Sequence, residues 1–435
     1  MSSAEKFDCV VVGAGPAGIA CGYMLAKAGL STVIFERGDY PGSKNVMGGV
    51  LYRQMTEEII PRFWEKAPLE RPIVEQQLWV LSEKSGMKMG YSNQDFAQEP
   101  YNNFTVLRAK FDRWFAGQAE EAGALIINKT VVEDFIIENG KIVGVKTDRA
   151  DGDLFCDVVV LAEGVNSLLS KKIGLHAYKE IPPKNVALSV KEVIALPKEI
   201  IDGRFGLKNG QGVTIELVGE ITKGMMGLGF LYTNNDSLSL GVGVVLADLR
   251  KNSYKPYDLL EGMKEHPLIG PLLEGGKPIE YLGHLIPEGG YKAVPKLYSD
   301  GVLVVGDAAM LVNSLHREGS NLALTSGRLA AETVIKAKEK NDFSAQSLSF
   351  YQKLLEDSFV MKDLKKYKNA PGFFDSHPYL FSLYPEIADF ALKEMVTVDG
   401  VSKKEKQKKI WKKVRKKRGI FQIIQDLFQI WRVLK

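Results

Sequence analysis

The residues best placed to do chemistry stand near the start of the chain. Gly13, Gly15 and Gly18 occur in the run GAGPAG, with Pro16 and Ala17 between the last two. After a strand and before a helix, each glycine has a separate use. Gly13 allows a tight turn, Gly15 leaves room for a pyrophosphate against the backbone, and Gly18 permits close packing of the helix. The amides at such a helix start point toward an anion. Glu36 follows 23 residues after Gly13. A carboxylate there accepts hydrogen bonds from both ribose hydroxyls of an adenosine and repels a 2′-phosphate. The chemistry implied is binding of an adenine dinucleotide other than NADP. The motif alone does not choose between FAD and NAD.

Two later segments carry weaker signals of the same kind. Arg108 opens the run RAKFDRWF, and Asp307 lies in GDAA at residues 306–309. An acid at that strand end can hold ribityl hydroxyls or the flavin-side phosphate region, and Gly306 lets the backbone approach. No residue is assigned as a catalytic acid, base or nucleophile, and none as a metal ligand.

The elements that must position these groups are legible from patterning. FDCVVV at residues 7–12 is a short buried strand, residues 19–28 a helix closed by Gly29, and residues 31–35 a second strand ending at Glu36. Residues 110–123 have helical spacing. Asn139–Gly140 marks a hairpin between strands, and residues 154–161 form a strand running into Ala162, Glu163 and Gly164. Strand-like stretches at 187–193, 213–218, 226–233 and 239–246 predict a mostly antiparallel sheet. The cofactor pattern returns in the strand GVLVVG at 301–306 and a long helix near 319–339.

Composition narrows the class. The 435 residues are 45% hydrophobic and 25% charged, which excludes a disordered, collagenous or fibrous chain. Cys9, Cys21 and Cys156 are too few and too scattered for a disulfide scaffold or a self-contained iron–sulfur cluster. Five dispersed histidines give no zinc pattern. The net charge of +4 hides an asymmetry: residues 403–435 carry +11 and the rest −7. A nucleic-acid-binding body is therefore not expected. No apolar run reaches spanning length, and no secretory signal opens the chain.

The glycine turn, the RAKFD block and GDAA together resemble the glutathione-reductase-like FAD fold. A narrower resemblance rests on Glu36-Arg37-Gly38, Gly42-Ser43-Lys44-Asn45, Gly48-Gly49, Gly289-Gly290-Tyr291, Gly319-Ser320-Asn321 and Ser326-Gly327-Arg328. These blocks are similar to those of the family of FixC and electron-transfer-flavoprotein:quinone oxidoreductases. The resemblance implies FAD, electron entry from an electron-transfer flavoprotein of alpha and beta subunits, and exit to a membrane quinone, menaquinone or ubiquinone. It also implies a FixX-like ferredoxin carrying the iron–sulfur cluster, because the four clustered cysteines of the longer relatives are absent. The candidate cofactor residues are then Gly13, Gly15, Pro16, Ala17, Gly18, Glu36, Arg37, Lys44, Asn45, Gly48, Gly49, Arg108, Val132, Gly164, Gly306, Asp307, Gly319 and Asn321.

The expected fold class is α/β and α+β: a Rossmann-type FAD domain with an inserted antiparallel-sheet domain and a helical C-terminal region. Residues 1–185 and 285–343 would form the FAD domain and 186–284 the sheet domain facing substrate or quinone. Residues 344–402 would be a helical region and 403–435 a basic amphipathic tail. In the tail, Ile420, Phe421, Ile423, Ile424, Leu427, Phe428, Ile430, Trp431 and Leu434 gather on one helical face. A lysine-rich solvated linker before it, or a helix docked on a partner, are the bland readings. An anionic membrane surface is the functional one, which would place the chain peripherally on the cytoplasmic face of the cell membrane. Prenyl reduction resembling geranylgeranyl reductases is an alternative, but the aromatic–proline motif YxWxFP is absent. Aromatic hydroxylation and a flavoprotein scaffold without turnover are the others.

Overall fold

The computed structural model describes residues 6–44 and 49–435. Two compact units emerge, each assembled from separated stretches. The first comprises Met1–Pro72, Pro100–Val186 and His284–Lys368, and the second Ile73–Glu99, Ala187–Gly283 and Asn369–Lys435.

The first unit is built on a parallel sheet. Lys6–Val12 lies between Leu154–Leu161 and Thr32–Phe35; Val302–Val304 and Leu125–Ile127 flank these in turn, all parallel. Helices cover such a sheet on both faces, so its strands read as continuous apolar runs. Cys9, Val10, Val11, Val158, Val159 and Val160 are accordingly fully buried. The hairpin Val132–Glu138 and Lys141–Thr147 turns at Asn139–Gly140, both at positive φ, and adds antiparallel to Leu154–Leu161. Helices Pro16–Lys27 and Ser320–Glu339 cross closely: a Cβ on Gly327 would stand 2.1 Å from the Ala17 carbonyl oxygen. Helices Phe350–Asp357 and Phe359–Lys366 bury Tyr351, Leu355, Val360 and Leu364 in the same core. The expected boundary after residue 343 therefore moves to 368.

The second unit contains the predicted sheet, in the order Val186–Ala195, Ser237–Val245, Gly227–Thr233, Gly212–Gly219 and Leu69–Leu81. It departs from expectation in two ways. Gly212–Gly219 pairs in parallel with Leu69–Leu81, and Gly86–Ser92 hangs on the latter as an antiparallel partner. Residues 73–99, expected in the cofactor domain, thus belong here, because the partner strand that claims them lies far along the chain. One sheet face, with Trp79, Val190, Ile215, Leu217, Leu231, Leu240 and Val242, packs on Ile201, Leu259, Leu260 and Met263 of the covering helices.

Residues 370–435 are helical. The lysine-rich run is not a linker but the helix Lys403–Lys417, started by a capping box of Ser402 and Glu405. It packs on Leu383–Val396 through the pairs Lys409–Glu394 at 2.6 Å and Lys417–Glu386 at 2.9 Å, with Val414 buried. The helix Ile420–Leu434 follows. Among the described residues, no helix is long and apolar enough to cross a membrane.

Candidate functional site

The site forms in the first unit, at the carboxyl ends of its parallel strands, where open α/β sheets bind ligands. Lys6–Val12 delivers Gly13, whose amide donates to the Phe35 carbonyl at 2.8 Å. Gly13 has φ +106°, and a Cβ there would lie 2.3 Å from the Ala162 carbonyl oxygen. Gly18 is equally constrained: its Cβ would come within 1.9 Å of the Gly13 carbonyl oxygen. Gly15 differs, since nothing lies within 4 Å of its Cβ position. The first and third glycines serve the fold, and the second faces open space. Pro16 starts the helix, where a missing amide hydrogen costs nothing. The Ala17 side chain is buried, close to where a Cβ on Gly306 would stand, 3.0 Å away. Of Ala17 only the first-turn amide is left to meet a ligand.

Glu36 ends its strand beside this turn. Its carboxylate accepts from the Ala14 amide at 3.0 Å and the Gly38 amide at 2.6 Å. The Lys129 and Thr130 amides donate to the Gly38 and Glu36 carbonyls, which brings buried Val132 to the same edge. Arg37 and Lys44 are exposed. Asn45 and Gly48 lie outside the described residues. Gly49, at φ +109°, accepts from the Val106 amide at 2.7 Å and has no room for a side chain against the Val106 carbonyl.

Arg108 opens the helix Arg108–Glu121, is buried, and grips Asp112 with two bonds of 2.6 Å. Its charge also reaches Asp307 and His284. Burial raises Asp307 to about 6, with Arg108 pulling the other way. Burial first, then Arg37 and Arg108, hold His284 below the usual histidine range. Gly164 is at φ +74° with open space at its Cβ position, and its neighbour Glu163 caps Leu169 and Ser170 at 2.8 Å each. Burial raises Glu163. Gly319 precedes the helix Ser320–Glu339, in whose first turn Asn321 is buried with its Oδ1 unpartnered.

Several members were not singled out from sequence. Ser167 and His176 both meet the Ala308 carbonyl. No motif announces them, because each acts through a partner distant in the chain. Gly327 carried a signal, a glycine inside an alanine-rich helix, which marks a close crossing.

This arrangement fits FAD. The direction of the Gly15 Cβ is free, and buried polar atoms without protein partners, Ser43 Oγ, Asn313 Nδ2 and Asn321 Oδ1, belong to the same unit. The fold defines a class, the FAD-dependent oxidoreductases of glutathione-reductase-like architecture. The FAD dependent oxidoreductase family matches residues 8–160. A geranylgeranyl bacteriochlorophyll reductase-like protein of Thermoplasma acidophilum superposes with TM-score 0.73 over 98% of this chain and 99% of that one. A flavin-dependent brominase gives 0.65 over 90% and 92%. At 22% and 18% identity these likenesses show the fold alone.

Within that class the assignment is narrower. The ETF-QO/FixC family C-terminal domain matches residues 370–435. Protein FixC of Bradyrhizobium diazoefficiens is 48% identical over 98% of this chain and 99% of its own, and that of Azotobacter vinelandii 47% over 99% and 100%. Protein FixC of Escherichia coli K12 is 42% identical over 98% of each. The chain belongs to the FixC family and is an FAD-dependent electron-transfer oxidoreductase akin to the electron-transfer-flavoprotein:quinone oxidoreductases.

Proposed function

We propose that the chain takes electrons from an electron-transfer flavoprotein of alpha and beta subunits and delivers them to a membrane quinone, menaquinone or ubiquinone. It does so as one subunit of a FixABCX-like complex on the cytoplasmic face of the membrane. The observation that carries the membrane end is the attitude of the last helix. Asp426, its one buried residue, is 1% exposed, while Phe421, Ile424, Leu427, Phe428 and Trp431 are 55–86% exposed. A helix docked by a carboxylate with its aromatic and aliphatic side outward suits a headgroup boundary, and the preceding basic helix suits anionic lipid.

Toward the cofactor we assign the amides of Gly15, Pro16's successor Ala17 and Gly18 to the pyrophosphate, and Glu36 to the adenosine ribose. Arg37, Lys44 and Gly49 are assigned to the segment that follows Glu36, as are Asn45 and Gly48 from the sequence alone, and Val132 to the wall beside the adenosine. Arg108, Gly164, Gly306, Asp307, Gly319 and Asn321 hold the flavin end. Bound FAD supplies the redox chemistry, passing electrons singly or in pairs. The chain's own work is to orient and shield: Arg108 keeps a positive charge near Asp307, and the Gly319 helix start turns its positive dipole end toward the site.

A FixX-like ferredoxin supplies the iron–sulfur cluster in this reading. Cys9, Cys21 and Cys156 are all free and buried, and burial raises each thiol, Cys156 to about 12, which supports a cluster held elsewhere. The test is purification of the native complex, with FAD and iron analysis and a quinone-reduction assay driven by the electron-transfer flavoprotein. FAD, iron and partner-dependent quinone reduction are expected together. A complete complex that cannot reduce quinone from that donor overturns the reading.

A further inference from the structure

The turn that presents Asp307 is held from outside at its start and its middle. At its start the Gly306 amide donates to Ser326 Oγ at 2.9 Å, and that hydroxyl donates to the Ala323 carbonyl at 2.8 Å. At its end Met310 takes φ +56°, a left-handed conformation that needs support. Between them the Ala308 carbonyl oxygen faces two side-chain donors, Ser167 Oγ at 3.2 Å and His176 Nε2 at 3.1 Å.

His176 gives its one hydrogen bond here, while Ser167 shares its single hydroxyl proton between the Ala308 carbonyl and those of Val165 at 3.1 Å and Gly164 at 3.4 Å. Ser167 is fully buried and itself left-handed, at φ +49°. His176 is 6% exposed, and its ring lies 5.1 Å from that of Tyr178. Donation to a carbonyl fixes the proton on Nε2, because a carbonyl cannot donate. His176 Nδ1 is then a bare acceptor, and it is buried without a partner. A polar ring is thus buried at the cost of one unsatisfied nitrogen, and its single hydrogen bond goes to the peptide next to Asp307. Such an expense is kept where orientation matters.

We propose that His176, with Ser167, is a positioning residue for the cofactor: by clamping the Ala308 carbonyl it fixes the Gly306–Met310 turn and so the place of the Asp307 carboxyl. This rests on the assignment of Asp307 to the flavin end of the site. The clamp does not touch the cofactor, and its influence passes only through Asp307 and its turn.

The experiment measures FAD dissociation from the full-length chain, the midpoint potential of the bound flavin and the melting of flavin-free protein. The variants are His176→Leu, His176→Gln, Ser167→Ala, Asp307→Asn and the double His176→Leu/Asp307→Asn. Loss of one such bond should weaken FAD roughly three- to tenfold in His176→Leu and less in Ser167→Ala. The midpoint potential should move with it. Gln, whose amide can reach the same carbonyl, should restore both values to within about twofold. In the Asp307→Asn background, His176→Leu should add little, since the two act as one unit. If Asp307→Asn leaves affinity and potential unchanged, the assignment of Asp307 is wrong and the clamp's role falls with it. If Asp307→Asn matters but His176→Leu has no effect, or an equal effect in both backgrounds, or is not restored by Gln, the clamp alone is overturned. Should His176→Leu fail to fold, Ser167→Ala in the two Asp307 backgrounds decides by the same criterion.

Discussion

Arg418 grips Asp426 across the junction of the last two helices, Nε to Oδ2 at 2.9 Å and Nη2 to Oδ1 at 2.6 Å. The Tyr379 and Tyr384 hydroxyls donate to the same carboxylate at 2.8 and 2.5 Å, and the guanidinium lies over the Tyr379 ring at 4.3 Å. This knot decides which side of the helix faces inward. Asp426→Ala should cost about 2 kcal/mol, the loss of charged hydrogen bonds. Hydrogen exchange should report it as faster exchange within 420–434 than in the parallel sheet. Burial pushes Asp426 up, but Arg418 and the two tyrosines outweigh it and hold the group below the usual range. A depressed folded value stabilises above the unfolded value and loses that contribution as pH falls through the folded one. Protection of 420–434 should therefore fade in acid below about pH 4 in the wild type, and not in Asp426→Ala.

Gly15 of the turn and Gly327 of the helix that crosses it should separate in their effects. A Cβ at Gly15 meets no protein atom within 4 Å, so flavin-free Gly15→Val should melt within about 1 kcal/mol of wild type. Its FAD retention should be abolished. Gly327→Ala, whose new carbon would stand 2.1 Å from the Ala17 carbonyl oxygen, should instead destabilise by about 3 kcal/mol in urea titrations. A Gly15→Val protein that keeps its FAD would refute the pyrophosphate assignment.

Membrane attachment is best tested by surface substitution. Removing residues 403–435 would cut through buried Val414 and Lys406 and so confound attachment with folding. Phe421→Gln with Trp431→Gln changes side chains that are 86% and 55% exposed. Flavin content should be unchanged, binding to anionic liposomes should fall by about 2–3 kcal/mol, and residual binding should weaken with salt. Turnover with a long-chain quinone should drop more than with a short soluble analogue. Equal liposome binding by variant and wild type would remove the membrane role.

Glu288 gives a pH signature. Burial raises it from 4.5 to about 8 in the folded chain. The folded state then binds the proton more tightly than the unfolded one, so the contribution of Glu288 is fully present below about pH 4.5 and declines as pH rises toward 8. Glu288→Gln should flatten that decline and make the flavin-free protein more stable than wild type at pH 8. Chemical denaturation across pH 5–8 reads the difference. Parallel slopes would show that Glu288 does not carry it.

What sequence could tell followed from locality. The glycine turn, Glu36, the Asn139–Gly140 hairpin and the amphipathic run after Gly419 each declare themselves within a few residues. The pairing of Leu69–Leu81 with Gly212–Gly219 does not, because parallel partners need no adjacency and leave no turn signature. Nor does the meeting of Ser167 and His176 on Ala308, which lies 141 and 132 residues away from them. The lysine-rich run was ambiguous for a physical reason: charge alone is compatible with a solvated chain, and its helix depends on the Glu386 and Glu394 partners and on the Ser402 cap.

The interleaving of the first unit bears on how the protein is made. Its sheet needs Val302–Val304 beside Leu154–Leu161, and its first helix needs Ser320–Glu339 across it. A ribosome must therefore release most of the chain before the dinucleotide turn gains its far wall. The second unit's sheet strands, by contrast, are complete by Pro287, although its helical stretch Asn369–Lys435 comes last. Synthesis thus presents the paired strands of the second unit while the glycine turn, already long exposed, waits for its last partners. Slow closure of such non-local contacts places cofactor capture late in synthesis, after Ser320–Glu339 has emerged.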